Sequence, residues 1–273
     1  MISFITTFYN EEKTILKFLN SLIIQSLKVN EYILVDGGSS DDTVFLITQF
    51  IESNNDFNFK LIVDDTCNLK HSKGPVARGR NIAINRAKNS IIAVSDAGCV
   101  LDKDWLYFIT KPLIEKKAQI SSGISKFSNS KEVFASEDII IHNNYKNPSS
   151  RNLAFLKFCW KDTGGYPENY LTGEDTAFNR GLVINNYVFI FASKALVYWD
   201  APKNQKELIS KQLGYGKGDG FNQLFFMKYC FRFFALLFPF YYLKKKSFTK
   251  SYLSAISYQR GYTQGLFEYF FSK

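Results

Sequence analysis

Short apolar runs and amphipathic segments alternate along the first hundred residues of the chain. Residues 2–7, 31–36, 59–64 and 91–94 are apolar and contain β-branched side chains, which predicts four strands. Between the first two runs, apolar residues recur with the helical period at Ile15, Phe18, Leu19, Leu22 and Ile23. Strands that alternate with helices predict right-handed βαβ units. We therefore expect an α/β protein with a wound, mostly parallel sheet flanked by helices.

The remaining elements are less regular. Residues 10–12 are polar and acidic and predict the start of the first helix. Residues 73–81 predict a basic, glycine-containing loop before a later helix, and residues 128–150 predict a polar surface loop. A helix is predicted to open within residues 171–176. Further strands are predicted at residues 118–127, 151–158, 187–191 and 195–199.

Composition narrows the possible partners. The chain has 273 residues and a net charge of +9, which favours anionic partners such as nucleotide phosphates or acidic lipids. Nucleic acid is disfavoured, because the sequence has no recognition helix, zinc finger or arginine-rich tract. The four cysteines are far apart and form no Cys-x-x-Cys pair, which disfavours a zinc site or a disulfide framework and indicates a reducing compartment. We expect no signal peptide, because the first strand begins at residue 2.

The composition changes near residue 221, which predicts a domain at residues 1–220 and a C-terminal hydrophobic helical region at residues 221–273. Residues 224–243 are almost wholly apolar and aromatic, with Lys228, Arg232 and Pro239 inside and lysines at 244–246 after them. The uncharged part is too short for a transmembrane helix, which needs about 20 apolar residues. We predict an amphipathic segment in the membrane interface. A buried core helix with a basic edge is the alternative.

Acidic residues stand at predicted strand ends or helix starts at four places: Glu11 with Glu12, Asp36, Asp96, and Glu174 with Asp175. Each of them alone is commonly a helix cap. In a parallel sheet, however, the carboxyl ends of successive strands meet at one edge, where ligands bind. Carboxylates gathered there repel one another unless they hold a cation, a sugar hydroxyl or a transferable proton.

Five segments in this order resemble the motifs of family 2 glycosyltransferases. They are residues 6–12 (TTFYNEE), 35–43 (VDGGSSDDT), 80–81 (RN), 96–98 (DAG) and 173–175 (GED). The resemblance covers residues 2–199. It implies the GT-A fold, a nucleotide-diphosphate sugar as donor and inverting transfer. Together with the C-terminal region, it leads us to expect a role in cell-surface polysaccharide or glycolipid assembly at the cytoplasmic face of a membrane. The acceptor would be a sugar or a lipid-linked sugar.

The resemblance also implies roles for individual residues. The nucleotide would be bound by Thr7, Tyr9, Glu11, Asp36 and Arg80. Asp96 would approach the diphosphate through a divalent metal, Mg²⁺ or Mn²⁺. Asp175 would be the general base, taking the proton of the acceptor hydroxyl, and Glu174 would orient it or the acceptor. Gly165 and Tyr166 would lie on the acceptor side, where a structural β-turn is the alternative role.

One position departs from the family pattern. The second acid of the family's Asp-x-Asp is Gly98 here, so a metal at Asp96 would be held largely by the diphosphate and water. Nearby cations such as Lys73, Arg78 and Arg80 could neutralise part of the negative charge of the diphosphate. Trp199 could stack on a sugar, although packing is favoured. Two other functions stay open: a non-catalytic binding or scaffold protein on the same fold, and a sugar nucleotidyltransferase.

Overall fold

A computed structural model describes residues 1–128, 148–200, 202, 204–237 and 248–271. In the last range, side chains are described from residue 251 onward. The chain divides into two compact units, one of Met1–Asn169 with Glu174–Ala201 and one of Tyr170–Gly173 with Pro202–Lys273. The predicted loop at residues 128–150 lies almost wholly outside the described residues, as do Pro239 and the lysines at 244–246.

The first unit contains a mixed sheet of eight strands in the order β3-β2-β1-β4-β7-β6-β8-β5 among the residues described. The strands are β1 (Ile2–Phe8), β2 (Glu31–Asp36), β3 (Phe59–Val63), β4 (Ile91–Val94), β5 (Cys99–Leu101), β6 (Ile120–Phe127), β7 (Leu153–Leu156) and β8 (Phe189–Trp199). The first four strands are parallel, as their alternation with helices predicts. β7 is antiparallel to β4 and β6, and β5 is antiparallel to β8.

The sheet is covered on both faces. Along β1, Phe4 packs in the cluster on one face and Ile5 in the cluster on the other, because successive side chains of a strand point to opposite sides. All four residues of β4 are buried. The helices of this unit are α1 (Ile15–Ile23), α2 (Thr43–Ser53), α3 (Pro75–Arg86), α4 (Trp105–Ile114), α5 (Lys157–Asp162) and α6 (Glu174–Ile184).

The first helix begins at Ile15 rather than at residues 10–12, so that prediction was wrong. Asn10 has a left-handed φ of 55°, its amide donates to Ser39 Oγ, and its side-chain oxygen accepts from the Ser40 amide. The amide of Glu11 donates to Thr43 Oγ1 at 2.8 Å. These polar residues therefore tie the end of β1 to the turn after β2 instead of capping a helix.

Residues 75–81 are helical, whereas the sequence predicts a loop there. Pro75 occupies the first turn of α3, where its missing amide hydrogen costs nothing. Gly79 permits α3 to approach β1 closely, because a Cβ at that position would lie 2.1 Å from Thr7 Oγ1. Arg80 and Asn81 are consequently fixed on a helix beside the sheet edge.

The second half of this unit also differs in detail. The strand predicted at residues 151–158 is only β7, because a short 3-10 helix (Ser150–Asn152) precedes it and α5 follows it. The two strands predicted at 187–191 and 195–199 are one strand, β8, which pairs with β6 across an irregularity near Ser122 and Ile124. Ser193 and Lys194 are exposed, which explains the polar interruption in the sequence.

The second unit contains α7 (Gln205–Phe221), α8 (Phe226–Leu237) and α9 (Phe248–Phe271). α7 and α9 pack backbone to backbone through glycines, since a Cβ at Gly216 would lie 2.0 Å from the Tyr258 carbonyl oxygen. This unit includes α7, whereas the sequence division at residue 220 assigns α7 to the first domain. On α8, Arg232 lies over the Tyr258 ring at 4.0 Å. Within the described ranges, no helix is long and apolar enough to cross a membrane.

Candidate active site

Arg80 lies at the centre of a charged cluster near the carboxyl end of β4. Its Nη1 donates to Glu174 Oε1 at 2.6 Å and its Nη2 donates to Asp96 Oδ1 at 2.9 Å. Burial acts to lower the pKa of Arg80, but Asp96 and Glu174 raise it above its usual value, so the guanidinium stays charged. The structure thus brings together residues of the third, fourth and fifth predicted motifs, carried by α3, the loop after β4 and the first turn of α6.

Asp96 faces a second guanidinium, that of Arg151. Arg151 Nε lies 3.5 Å from Asp96 Oδ2, and the guanidinium lies over the Trp199 ring at 4.0 Å. Burial opposes ionisation of Asp96, yet Arg80 and then Arg151 hold its pKa below the usual value. The sequence pattern did not single out Arg151 for this contact. The available signal was an arginine just before an apolar run. That signal does not identify Asp96 as the contact, because Asp96 is distant in the sequence.

Glu174 and Asp175 are two adjacent acids in the first turn of α6. Burial raises the pKa of Glu174, the charge of Asp175 raises it further, and Arg80 opposes both. Burial also raises the pKa of Asp175, again against the attraction of Arg80. The amide of Thr176 donates to Asp175 Oδ1 at 2.7 Å. A carboxylate with a raised pKa accepts a proton more readily, which is the property required of a general base.

The predicted acceptor-side loop is a glycine turn held by Asn81. Gly164 and Gly165 have left-handed φ values of 78° and 80°. The Asn81 side chain accepts from Trp160 Nε1 and from the Tyr166 amide, and it donates to the Tyr166 carbonyl. Tyr166 is buried 5.3 Å from the Arg80 guanidinium, and its hydroxyl lies 2.8 Å from Ser150 Oγ. The β-turn is therefore present, and a direct acceptor contact by Gly165 or Tyr166 stays a prediction.

The residues predicted to bind the nucleotide lie at the ends of β1 and β2. Asp36 is buried, and its Oδ2 accepts from the amides of Gly38 and Ser39 at 2.8 Å each. Tyr9 is 42% exposed just after β1, and Thr7 contacts Gly79 of α3. These positions surround the carboxyl ends of adjacent parallel strands, where α/β sheets bind ligands.

The metal prediction has less support in this geometry. No group of three or more His, Cys, Asp or Glu residues that could hold a metal ion occurs in the part of the chain that the structure describes. Asp96 is a single carboxylate, and both of its oxygens face guanidinium groups. Gly98 has no side chain to provide a ligand, and a Cβ at its position would meet nothing within 4 Å. This donor set does not fit a cation held by protein ligands.

The mostly parallel, helix-covered sheet is an α/β fold of the GT-A type, with ionised and proton-accepting side chains near the carboxyl ends of its parallel strands. The chain belongs to glycosyltransferase family 2, because the family profile "Glycosyl transferase family 2" matches residues 3–169, more than half of its length. Members of this family are glycosyltransferases, so the predicted family, fold class and enzyme class are confirmed. Glu174 and Asp175 lie just beyond the matched residues.

Curated relatives agree with this assignment. The glycosyltransferase AglE of Haloferax volcanii is 25% identical over 228 residues, which are 80% of this chain and 72% of AglE. A poly-β-1,6-N-acetyl-D-glucosamine synthase of Staphylococcus epidermidis is 25% identical over 232 residues. That match covers 80% of this chain and 54% of the synthase, so the chain spans about half of the synthase's length.

Solved structures show the same fold. S. aureus TarS 1–349 in complex with UDP-GlcNAc has a TM-score of 0.60 at 20% identity, covering 78% of this chain and 66% of that one. The mannosyltransferase PcManGT from Pyrobaculum calidifontis, in complex with GDP-Man and Mn²⁺, has a TM-score of 0.67 at 17% identity. The match to PcManGT covers 97% of this chain and 72% of that one.

Proposed function

We propose that this protein transfers a sugar, with inversion, from a nucleotide-diphosphate sugar to an acceptor hydroxyl in cell-surface polysaccharide or glycolipid assembly. The observation that carries the proposal is the double contact of Arg80 with Glu174 and Asp96. It joins an ionised carboxylate at the end of β4 to a pair of acids with raised pKa values at the start of α6. Donor and acceptor chemistry would therefore take place on opposite sides of one guanidinium.

In this proposal Asp175 is the general base. Inversion requires one carboxylate to take the proton of the acceptor hydroxyl as its oxygen attacks the anomeric carbon from the side opposite the leaving diphosphate. The raised pKa of Asp175 makes its carboxylate a better proton acceptor than an ordinary aspartate carboxylate. Glu174, fixed by Arg80, orients Asp175 or the acceptor. Gly165 and Tyr166 would lie on the acceptor side, next to Arg80.

The donor nucleotide would be bound by residues near the ends of β1 and β2 and on α3, namely Thr7, Tyr9, Glu11, Asp36 and Arg80. Tyr9 is the most exposed of the set and is suited to stacking on a base. Asp36 would contribute to nucleotide binding indirectly, because its carboxylate accepts from the amides of Gly38 and Ser39 and so holds the turn after β2 in place. Glu11 is half-buried after β1, and its carboxylate accepts from the Thr14 hydroxyl.

A divalent cation at Asp96 stays a prediction from the family resemblance, and PcManGT is a fold neighbour whose complex contains Mn²⁺. When bound with a donor diphosphate, such an ion neutralises the charge that develops on the leaving group. Because the residues around Asp96 do not fit an ion held by the protein, no step of the proposed reaction depends on a metal.

We further propose that the acceptor is a sugar or lipid-linked sugar and that the chain works peripherally at the cytoplasmic face of the membrane. Support comes from the net charge of +9 and from α8, where Met227, Phe231 and Phe234 are exposed at positions i, i+4 and i+7. This spacing places the three side chains on one face of a helix. An apolar helix face of this kind, with basic residues nearby, binds anionic membrane surfaces.

Thermal denaturation with a panel of nucleotide sugars tests the donor proposal. A donor that binds only the folded chain stabilises it by about 2.7 kcal/mol at a concentration of 100 Kd. We expect one or a few nucleotide-diphosphate sugars to raise Tm, and the nucleoside monophosphates to raise it less. If no member of the panel raises Tm, this chain does not bind a nucleotide sugar by itself.

Two other functions remain as alternatives. A scaffold protein would bind a donor without turnover, so donor hydrolysis would be equal in the wild type and in Asp175→Asn. A sugar nucleotidyltransferase would instead form a nucleotide sugar from a nucleoside triphosphate and a sugar phosphate. Where that class commonly places a glycine-rich phosphate loop, after the first strand, this chain has the acidic segment at residues 10–12. Assaying both reactions on one preparation distinguishes the three functions.

A further inference from the structure

Arg151 is the side chain of the charged cluster to which the preceding proposal gives no role. It lies in the short 3-10 helix just before β7, between the carboxylate of Asp96 and the ring of Trp199. We propose that Arg151 binds the diphosphate of the donor, and that Asp96 and Trp199 are positioning residues for its guanidinium. The inference rests on the proposed donor class and deepens it.

The backbone on both sides of Arg151 is firmly held. Ser150 is buried, with its hydroxyl 2.8 Å from that of Tyr166. Asn152 is also buried. Its side-chain Nδ2 donates to the carbonyls of Ile124 and Ala195, and its side-chain Oδ1 accepts from Trp105 Nε1 at 2.8 Å. The direction in which Arg151 leaves the backbone is therefore fixed by its two neighbours.

The guanidinium contacts Trp199 and Asp96, and it also forms a side-chain hydrogen bond with Cys99. Trp199 lies under it at 4.0 Å, a distance at which an arginine stacks on an indole face. Asp96 Oδ2 contacts Nε at 3.5 Å, which is long for a charge-assisted hydrogen bond. Arg151 is thus aimed at the carboxyl end of β4 without being strongly bound there, and its side chain is 20% exposed.

Two other arginines near the site are paired more tightly than Arg151, although the Arg78 side chain is itself 38% exposed. The Arg80 side chain is 5% exposed, and it donates to two carboxylates at 2.6 and 2.9 Å. Arg78 pairs with Glu168 at 2.9 Å. A diphosphate is recognised best by a planar guanidinium that offers two parallel N–H groups. Arg151 has the exposure and the loose pairing that this contact requires.

This assignment also accounts for the poor fit of a metal. Asp96 holds one guanidinium on each oxygen, so the positive charge at the end of β4 comes from the protein. A diphosphate placed there would be neutralised in part by Arg151, with Arg80 as the buried second charge. Binding of a nucleoside diphosphate would then persist in a chelator.

Calorimetric titration of the full chain with UDP and GDP in excess EDTA tests the inference, with uridine and guanosine as phosphate-free probes. We expect Arg151→Met to weaken binding of the preferred diphosphate about 10- to 100-fold, the range for loss of a charged hydrogen bond. Binding of the matching nucleoside should be unchanged. Arg151→Lys should give an intermediate affinity, because the charge remains without the planar fork. Lys161→Met, on the exposed side of α5, is the matched control and should bind like the wild type.

The outcomes separate the inference from the proposed function. If the wild type binds neither diphosphate, with or without Mn²⁺, the proposed donor class fails and the inference fails with it. If the wild type prefers a diphosphate to its nucleoside and Arg151→Met keeps that preference, only the role of Arg151 is overturned. Binding that appears solely with Mn²⁺ also overturns it. Should Arg151→Met not fold, the comparison of Arg151→Lys with Lys161→Met decides, and equal affinities reject the inference.

Discussion

Asp175 and Asp96 are the same residue type in the same cluster, yet their surroundings shift their pKa values in opposite directions. Asp96 faces Arg80 and Arg151, which outweigh burial and keep it ionised. Asp175 is affected mainly by burial, which raises its pKa, and the charge of Asp96 adds to that rise. The Asp96 carboxylate is therefore suited to holding the guanidinium groups, and the Asp175 carboxylate to accepting a proton.

We expect Asp175→Asn to abolish transfer while leaving donor binding nearly intact. The amide cannot accept the proton of the acceptor hydroxyl, and loss of a general base costs about 10²–10⁴-fold in rate. Initial rates with the donor identified by the thermal panel, together with calorimetric donor Kd values, measure both effects. Asp56→Asn, at an exposed position before β3, is the control for loss of a carboxylate. Turnover of Asp175→Asn near the wild-type value would show that another group is the base.

The same pKa shifts predict a specific pH dependence. Asp175 accepts a proton only when ionised, so we expect kcat to fall as pH decreases through a pKa above the ordinary value of 3.8. Stability should change in the opposite sense. A carboxyl whose pKa is raised by folding stabilises the fold while protonated, and that contribution is lost as pH rises through the folded-state pKa.

The Tm of Asp175→Asn relative to the wild type should therefore increase with pH over the window above 3.8, because only the wild type acquires the buried charge. Melting curves of both proteins at several pH values provide the measurement. A Tm difference that is constant across this window would mean that Asp175 titrates at its ordinary pKa.

Residue-level prediction from the sequence succeeded where a motif fixes both residue type and place along the chain. Arg80, Asp96 and Glu174 were identified in this way, and the structure brings them together. The contact of Arg151 with Asp96 could not be predicted, because it depends on how β7 lies beside β4 in the sheet. Likewise, nothing in the sequence indicated that the Asn81 side chain would form hydrogen bonds with the backbone of Tyr166.

At the scale of elements, buried strands were predicted best. Apolar runs such as 91–94 have one physical explanation in an α/β pattern, and the structure has a strand there. The start of α3 was missed because Gly74 and Gly79 resemble loop residues, although Pro75 is a helix-start signal. In α3 the glycine at 79 serves close packing on Thr7, a reason that becomes visible only in three dimensions.

Glycine packing also leads to a prediction for the helix pair α7 and α9. A Cβ at Gly216 would lie 2.0 Å from the Tyr258 carbonyl oxygen, whereas a Cβ at Gly214 on the same helix would meet nothing within 4 Å. We expect Gly216→Ala to force the two helices apart and to destabilise this unit by about 1–3 kcal/mol. Gly214→Ala should instead stabilise α7 by about 0.5–1 kcal/mol, because alanine is the better helix former.

Amide hydrogen exchange of peptides from α7 and α9 measures these effects in the second unit directly. The three tryptophans, Trp105, Trp160 and Trp199, lie in the first unit, so tryptophan fluorescence would report on that unit. Faster exchange in Gly216→Ala and slower exchange in Gly214→Ala are expected. Equal exchange in both variants would show that α7 and α9 are not packed as closely as the glycines indicate.

At the scale of the whole molecule, the sequence indicated a C-terminal region of different character but not its extent. The prediction used the apolar run that begins near residue 221, whereas the second compact unit combines Tyr170–Gly173 with Pro202–Lys273 and includes α7. α7 contains many polar residues and four glycines, so its composition does not mark it as a partner of apolar helices. Its assignment depends on contacts with α9, which composition does not encode.

Membrane association of the second unit can be tested on the intact chain. The exposed stripe on α8 presents Met227, Phe231 and Phe234, while Tyr229 on another side of the helix stacks on Tyr262 of α9 at 4.3 Å. Substituting stripe residues should therefore leave the packing of the unit intact. The lysines at 244–246 lie outside the described residues and would add about 1 kcal/mol each near anionic lipid.

We expect the wild type to float with anionic vesicles at low salt and to be released as salt rises, since screening weakens the attraction of the basic residues. Phe231→Gln/Phe234→Gln should reduce the floated fraction at least about tenfold, because each ring contributes up to about 1.5–3 kcal/mol when fully removed from water. Phe45→Gln/Phe158→Gln removes two exposed rings from the first unit and should float like the wild type. If the intact chain stays in the aqueous fraction with anionic vesicles at low salt, the α8 stripe is not a membrane-binding surface, and the acceptor need not be a lipid.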